Sequence, residues 1–271
     1  EIVLSSTGTG GLTIRNDDTT AIVGGLLEVQ TSIGSNLFTV NNNATEYAAN
    51  GGAESSTFTA WLPASGAPTE TVARNTSDTG DIIATGTASA SVLTTAVTGQ
   101  GAENTLTAPL INGLKYQVSY AIKSSSTTGS FTELDTMYSY DGTAGNARHC
   151  VAGTAYYTTG TASQTTTTIT GVGTTFTSAM VGMTFVFADG RSTVITGYTN
   201  PTTLTAGTSQ NASSQNFGVW TAGYKVNSAT WTRITCTFTA APSGTTITAS
   251  NSVMIRQTSA AIRTFYIDNL S

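Results

Sequence analysis

His149 and Cys150 stand side by side, and an imidazole next to a thiol could in principle generate a nucleophilic thiolate. His149 is the sole histidine of the chain, so neither a multi-histidine metal site nor a Ser/His/Asp relay with a spare can be built. Cys236 is the only other cysteine. An even pair in a Thr-rich β protein suits an oxidising compartment and reads as a Cys150–Cys236 disulfide, which would remove the thiolate. The second candidate is a carboxylate pair. Glu133 and Asp135 lie two apart on a strand-like stretch, hence on one face, and sugar-cleaving enzymes need two such groups across the scissile bond. Neither residue sits in a recognisable glycosidase context, and a solvated strand face is the commoner origin of this spacing. The expectation is a protein that is not an enzyme.

Composition narrows the partners. Only 9% of the 271 residues are charged and the formal net charge is −5, so there is no basic footprint for nucleic acid or for anionic lipid. No apolar run approaches membrane-spanning length. Hydrophobic residues make up 38%, with ten Tyr and nine Phe, which is too many for a disordered Thr/Ser-rich chain. Solubility resting on hydroxyls and amides suits an extracellular, cell-surface or virion-surface setting.

The elements that would position any site are strands. Leu114, Tyr116, Val118, Tyr120 and Ile122 alternate with Lys115, Gln117, Ser119, Ala121 and Lys123, the period of two expected of a strand with one buried face. Thr232, Ile234, Cys236 and Phe238 alternate with Trp231, Arg233, Thr235 and Thr237 in the same way. Short strands separated by Gly, Asn, Ser and Pro clusters, with no helical period, read as an all-β sandwich.

Three regions separate along the chain. Residues 1–45 hold two apolar stretches, Ala21 to Val29 and Asn36 to Val40, joined by a turn-like Ser32-Ile-Gly-Ser-Asn36. This reads as an N-terminal β-hairpin extension, and since a lone hairpin is marginal in water it calls for a partner surface. From about 158 to 223, Thr168 to Phe176, Val181 to Phe187, Ser192 to Thr196 and Thr203 to Thr205 read as a compact run of short strands, a small β domain inserted into a loop. The remaining residues, 46–157 and 224–271, form one interrupted sandwich. A bridge from Cys150 to Cys236 would staple the root of the insertion. Chain entropy gives it on the order of 4 kcal/mol, falling toward ~3 kcal/mol if the insert folds by itself.

Four segments carry a family resemblance. Asn50-Gly-Gly-Ala-Glu54 followed by Trp61 is similar to the opening of the carbohydrate-binding modules of the four/nine/twenty-two jelly-roll group. Leu110 to Lys123 resembles that group's Gly-x-x-Tyr strand, Thr230 to Ala240 its Trp strand, and Thr264 to Leu270 its closing Tyr-Ile-Asp strand. The phrase Leu26 to Gln30 followed by Asn36 to Val40 is similar to hairpins of phage tail-fibre and bacterial surface-fibre stalks, which associate as trimers. The inserted unit resembles small β modules of phage structural proteins.

The resemblance implies a jelly-roll β-sandwich in which Asn50 to Trp61 and Phe265 to Leu270 are edge-to-edge partners. It implies a structural Ca²⁺ held by Glu54 and Asp268, with Arg263 or backbone donors as the competing partners of those carboxylates. It also implies a polysaccharide ligand on the sheet face turned from the core, where Tyr138 and Tyr140 would stack on sugar C–H faces beside Gln117, Arg256 and Trp61. For Trp61 a core position is equally open. Two functions follow. One is a structural subunit of a surface or fibre, self-associating as a homotrimer or filament through residues 1–45; the other is a glycan-binding adhesion module. The stalk-like start and the few aromatics on the presumed face favour the first.

Overall fold

A computed structural model describes residues 47–271 apart from 57, 65–68, 77–83, 85, 143–146, 222 and 241–244, together with the backbone of 27–30 and 36–40. Residues 1–45 and 46–271 are two separate compact units. In the first, β1 (Leu27–Gln30) and β2 (Asn36–Val40) pair antiparallel from Leu27 opposite Val40, with a register shift after Val29. The rest of the expected first strand, residues 21–26, and the turn at 31–35 lie outside the described residues.

The second unit is all-β. Seven strands come before the insertion point or at it: β3 (Trp61–Pro63), β4 (Thr71–Asn75), β5 (Ser89–Leu93), β6 (Gly101–Thr105), β7 (Lys115–Ser124), β8 (Phe131–Ser139) and β9 (Ala147–His149). A run of short strands follows: β10 (Thr161–Thr165), β11 (Thr168–Val172), β12 (Thr184–Phe187), β13 (Ser192–Asn200), β14 (Thr203–Ala206), β15 (Ala212–Gln215) and β16 (Phe217–Trp220). The chain closes with β17 (Tyr224–Val226), β18 (Thr232–Thr239), β19 (Ser252–Gln257) and β20 (Thr264–Asp268). Among the described residues the only helical element is a 3-10 turn at Ser178–Met180.

Two antiparallel sheets make a jelly-roll sandwich, one ordered β17-β8-β19-β6-β3 with β9 also on β8, the other β18-β7-β20-β5-β4. Leaving out the insertion, the chain changes sheet at nearly every step, from β5 to β6, β7, β8, β18, β19 and β20. Hence each strand must bury the side chains facing the other sheet. Val118, Tyr120 and Ile122 of β7, and Ile234, Cys236 and Phe238 of β18, do so in the alternation expected. Across the core they meet Leu134 and Tyr138 of β8 and Val253 and Ile255 of β19. Burying such side chains stabilises by about 1.5–3 kcal/mol each. The alternation of β7 fails at its end, where Ala121 and Lys123 are buried as well. On that outer surface the Ala84 N–H donates to Asp268, the residue opposite Ala121.

The opening and closing segments occupy one sandwich, and Leu270 N–H donates to Gly51 O at 3.2 Å. They are not neighbouring strands, however: β3 lies at the edge of one sheet beside β6, and β20 in the middle of the other between β7 and β5. The segments meet across the end of the sandwich because residues 50–53 precede β3 and turn through left-handed conformations at Asn50 and Ala53.

Strands β10–β16 form a sheet of their own in the order β15-β10-β11-β14-β13-β12-β16. Its two ends, β15 and β16, are separated by the single residue Asn216, so one bent segment borders both ends of the path and the ladder closes on itself. Closure removes sheet edges and leaves an interior to fill. Ile169, Phe176, Met180, Phe185, Ile195, Leu204 and Phe217 fill it, with Phe185 and Phe217 stacked at 4.7 Å. This core is distinct from that of the sandwich. At the root of the insertion Cys150 and Cys236 form a disulfide with Cα atoms 5.4 Å apart. Alongside it Val151 bridges Thr237, Tyr157 bridges Val219, and His149 N–H donates to Ser192 Oγ at 2.8 Å.

Candidate functional site

The residues expected to form one sugar-binding surface are dispersed. Tyr138 is fully buried, on the inner row of β8 with Leu134, its ring stacked at 4.5 Å on Phe238 of the facing sheet. Burial pushes its phenol well above the ordinary range. Trp61 is also core: it is 3% exposed, stacks on Phe58 and donates from Nε1 to Asn50 O at 2.9 Å. Gln117 is exposed on β7, hence on the other sheet. Tyr140 is half-buried, packed against the sandwich core with the Arg148 guanidinium 5.9 Å from its ring centre. Of the five, only Arg256 stands on the outer face of the β8 sheet.

That outer face carries a different set. Register places Leu62, Glu103, Met254, Met137 and His149 in one row across β3, β6, β19, β8 and β9. Two residues along the strands, Gly101, Arg256 and Asp135 form the next row. Gly101 is required there, since a Cβ would lie 2.0 Å from Ile255 O. Met137 and Met254 form a buried floor with Ala64 and Ala147. Around this floor stand Glu103, Arg256, Asp135 and His149. Diagonal neighbours on a sheet are about 7–8 Å apart at Cα, which long side chains can bridge. The His149 Nδ1 and Asp135 Oδ2 atoms come within 2.6 Å, without the alignment of a ring N–H hydrogen bond.

Electrostatics on this face follow from partial burial. Burial raises the Glu103 carboxyl above its ordinary value; the Ser252 hydroxyl opposes this but makes no well-aligned hydrogen bond. Burial also lowers the Arg256 guanidinium, with the Asp135 charge opposing. Glu133, on the same face of β8 as Asp135, turns instead to Arg263 at 3.3 Å. The carboxylates considered for catalysis therefore have different basic partners.

Glu103 and His149 were not readable as members of this face. The stretch Gly101 to Thr105 lacks the apolar alternation of an obvious strand. His149 is set by the pairing of a three-residue strand. The available signal was the outward pair Met254 and Arg256, alternating with Val253 and Ile255.

Glu54 and Asp268 flank Gly52, but their oxygens do not converge. The atom of Glu54 nearest Gly52 is Cγ, whereas its carboxylate lies against Gly86. There it accepts the Thr87 N–H at 3.0 Å, the Thr87 hydroxyl at 2.8 Å and the Ala88 N–H at 3.3 Å. Burial alone would raise this carboxyl, but these donors and Arg74 bring it below its ordinary value. Asp268 accepts Ala84 N–H at 3.0 Å and Asn269 N–H at 2.7 Å. The Arg74 guanidinium takes Ala53 O at 2.6 Å and Glu54 O at 2.8 Å. Calcium needs six to eight oxygens directed at one point. The described residues do not fit that ion: N–H donors and a guanidinium engage the oxygens that a cage would require.

No family model and no curated protein matches the chain. Solved structures that resemble it include the CBM22-1 xylan-binding domain of Paenibacillus barcinonensis Xyn10C, at 10% identity over 81% of this chain and 88% of that one, TM-score 0.42. Another is the C-terminal family 22 carbohydrate-binding module of Clostridium thermocellum Xyn10B, at 14% identity over 84% and 92%, TM-score 0.41. The enzymatically active domain of bacteriophage CBA120 tailspike protein 4 also resembles it, at 13% identity over 83% of this chain and 21% of that one, TM-score 0.33. At such identities and scores no ligand or residue role transfers, and function has to be argued from this chain's own side chains.

Proposed function

We propose that this protein is a non-catalytic glycan-binding module on a jelly-roll scaffold, working outside the cell or on a virion surface. One observation carries the reading: in a chain with only 9% charged residues, Glu103, Asp135, Arg256 and His149 gather on one sheet face over a methionine floor. Sugar hydroxyls pair with carboxylates and guanidinium groups, and the buried thioethers of Met137 and Met254 pack beneath those side chains as their support. The separate basic partners of Glu133 and Asp135 support a binding role over a hydrolytic one. The disulfide supports an oxidising setting. Among the described residues no helix is long and apolar enough to cross a membrane.

A glycan array probed with the whole chain tests the proposal. Hits should weaken at least tenfold in both Arg256→Ala and Glu103→Gln. An array without hits, or hits that ignore both substitutions, would sink it.

A second reading, self-association as a homotrimer or filament through residues 1–45, rests on the β1 and β2 ladder. Among the described residues these strands pair only with each other, and two strands alone are marginal in water. Strand addition from a neighbouring copy would supply the missing partner. Light scattering should then show an oligomer for the whole chain and a monomer for residues 46–271; identical masses would exclude it.

A further inference from the structure

The edge of the β8 sheet has a gap. β9 and β17 both pair with the same edge of β8, β9 at Met137 to Ser139 and β17 at Leu134 and Phe131. Asp135 and Thr136 lie between them, opposite neither strand, although Cys150, the residue after β9, donates its N–H to Thr136 O at 2.8 Å. The chain leaves the sandwich after β9 and returns at β17, so the gap sits where the closed β10–β16 unit is rooted.

A cavity of about 230 Å³ opens there. One wall is Asp135, the same carboxylate that ends the charged row of the outer face. Another is Tyr224, held in place as its hydroxyl donates to Cys150 O at 2.7 Å. The inserted unit supplies Thr184 of β12, and Thr221 stands in the segment that returns from it. Phe185 and Phe187 of β12 point into the core of the insert, while Thr184 lines the cavity. Gly223 brings its bare backbone into the wall at φ 78°, where a Cβ would lie 2.3 Å from Thr132 O.

Size and chemistry together select an occupant. The volume lies below the roughly 300–1,000 Å³ of drug-sized sites, so one ring fits and an oligomer does not. A carboxylate, two threonine hydroxyls, a phenol and backbone carbonyls are a hydrogen-bonding set for a polyol. The aromatic ring suits its C–H face. Among the described residues Asp135 is the one carboxylate in the wall and no cationic side chain lines it, which disfavours an anionic sugar.

We infer that this cavity receives the terminal ring of a neutral glycan, so that the insertion gives the outer sheet face a site that reads a chain end. This rests on the glycan-binding reading above. The insert acts as the wall that stops the glycan from running on past Asp135.

Saturation-transfer NMR on the whole chain, with glucose, galactose, mannose, xylose and N-acetylglucosamine as separate probes, tests it. At least one monosaccharide should receive saturation. That binding should weaken at least tenfold in Thr221→Trp, which fills the mouth from an exposed position, and in Thr184→Phe, which fills the interior. Thr221→Trp guards against a folding artefact, with an unchanged melting temperature as its control. Loss of signal only in Thr184→Phe, or no saturation of any monosaccharide, would overturn the end pocket. Polysaccharide binding sensitive to Arg256→Ala but untouched by Thr221→Trp would overturn the pocket and leave the outer-face reading standing. No binding of polysaccharide or monosaccharide would remove both.

Discussion

Removing the disulfide gives the sharpest measure of how the inserted unit behaves, because the loop it closes depends on whether that unit stays folded. Cys150 and Cys236 are 86 residues apart, and for a fully unfolded loop of that length chain entropy gives about 4.6 kcal/mol. If the closed β10–β16 unit survives unfolding of the sandwich, the bridge between Tyr157 and Val219 short-circuits the loop. The flexible part is then about 24 residues, and the value drops to about 3.4 kcal/mol. At roughly 2–4 °C per kcal/mol for a domain of this size, the double variant Cys150→Ala, Cys236→Ala should lower the sandwich melting temperature by roughly 7–14 °C. Differential scanning calorimetry should show two endotherms, of which only the sandwich one moves. A single endotherm that shifts as a unit would refute independent folding of the insert. A shift below about 2 °C would refute the staple itself.

Other expectations follow from individual contacts. Arg74→Ala removes charge-assisted bonds to Ala53 O and Glu54 O and should cost about 1.5–3 kcal/mol in chemical denaturation, while calcium or a chelator leaves the wild-type midpoint unchanged; a calcium-dependent rise would restore the cation site. Tyr138→Phe deletes a buried hydroxyl with no hydrogen-bond partner among the described residues and should be neutral or stabilising by up to ~1 kcal/mol, whereas Tyr138→Ala should cost about 3–5 kcal/mol through the cavity it leaves. Glu103 has a folded-state pKa raised by burial, so its ionisation opposes folding, and that cost grows as pH rises from the ordinary carboxylate value of 4.5 through the folded value. Glu103→Gln should therefore stabilise at neutral pH and lose the advantage below about pH 4.5, read from urea midpoints across pH. Glu54 has the opposite sign: its lowered pKa contributes stability above the ordinary value that disappears as pH falls through the folded one, so Glu54→Gln should flatten the acid limb of the same curve.

Much of the scaffold was legible before any coordinates. The alternation of Tyr116 to Ile122 and of Ile234 to Phe238 requires strands with one buried face, because successive side chains on a strand point to opposite sides. The pairing of the only two cysteines was equally readable, and so was the all-β class. The binding face was not. Alternation divides β8 into the sets Leu134, Tyr138 and Asp135, Met137, but it does not say which set faces the other sheet. Both contain large apolar residues. Ring size favours Tyr138 as a sugar platform from composition alone; packing against Phe238 makes it core and leaves Met137 outside.

The same limit applies to the acidic pair. Glu54 and Asp268 do come near each other, as their segments suggested, yet side-chain torsions and the amides of Thr87 and Ala88 decide where the Glu54 oxygens point. The row from Glu103 to His149 exists only because β6, the β8–β9 pair and β19, from three separate stretches of the chain, align in register, and the cavity beside Asp135 exists only because β9 and β17 stop short of one another on β8. Local pattern determined the strands, since it depends on neighbouring residues and on the period of the backbone. Tertiary structure decided the face, the register and the gap, since these depend on which distant strand lies alongside.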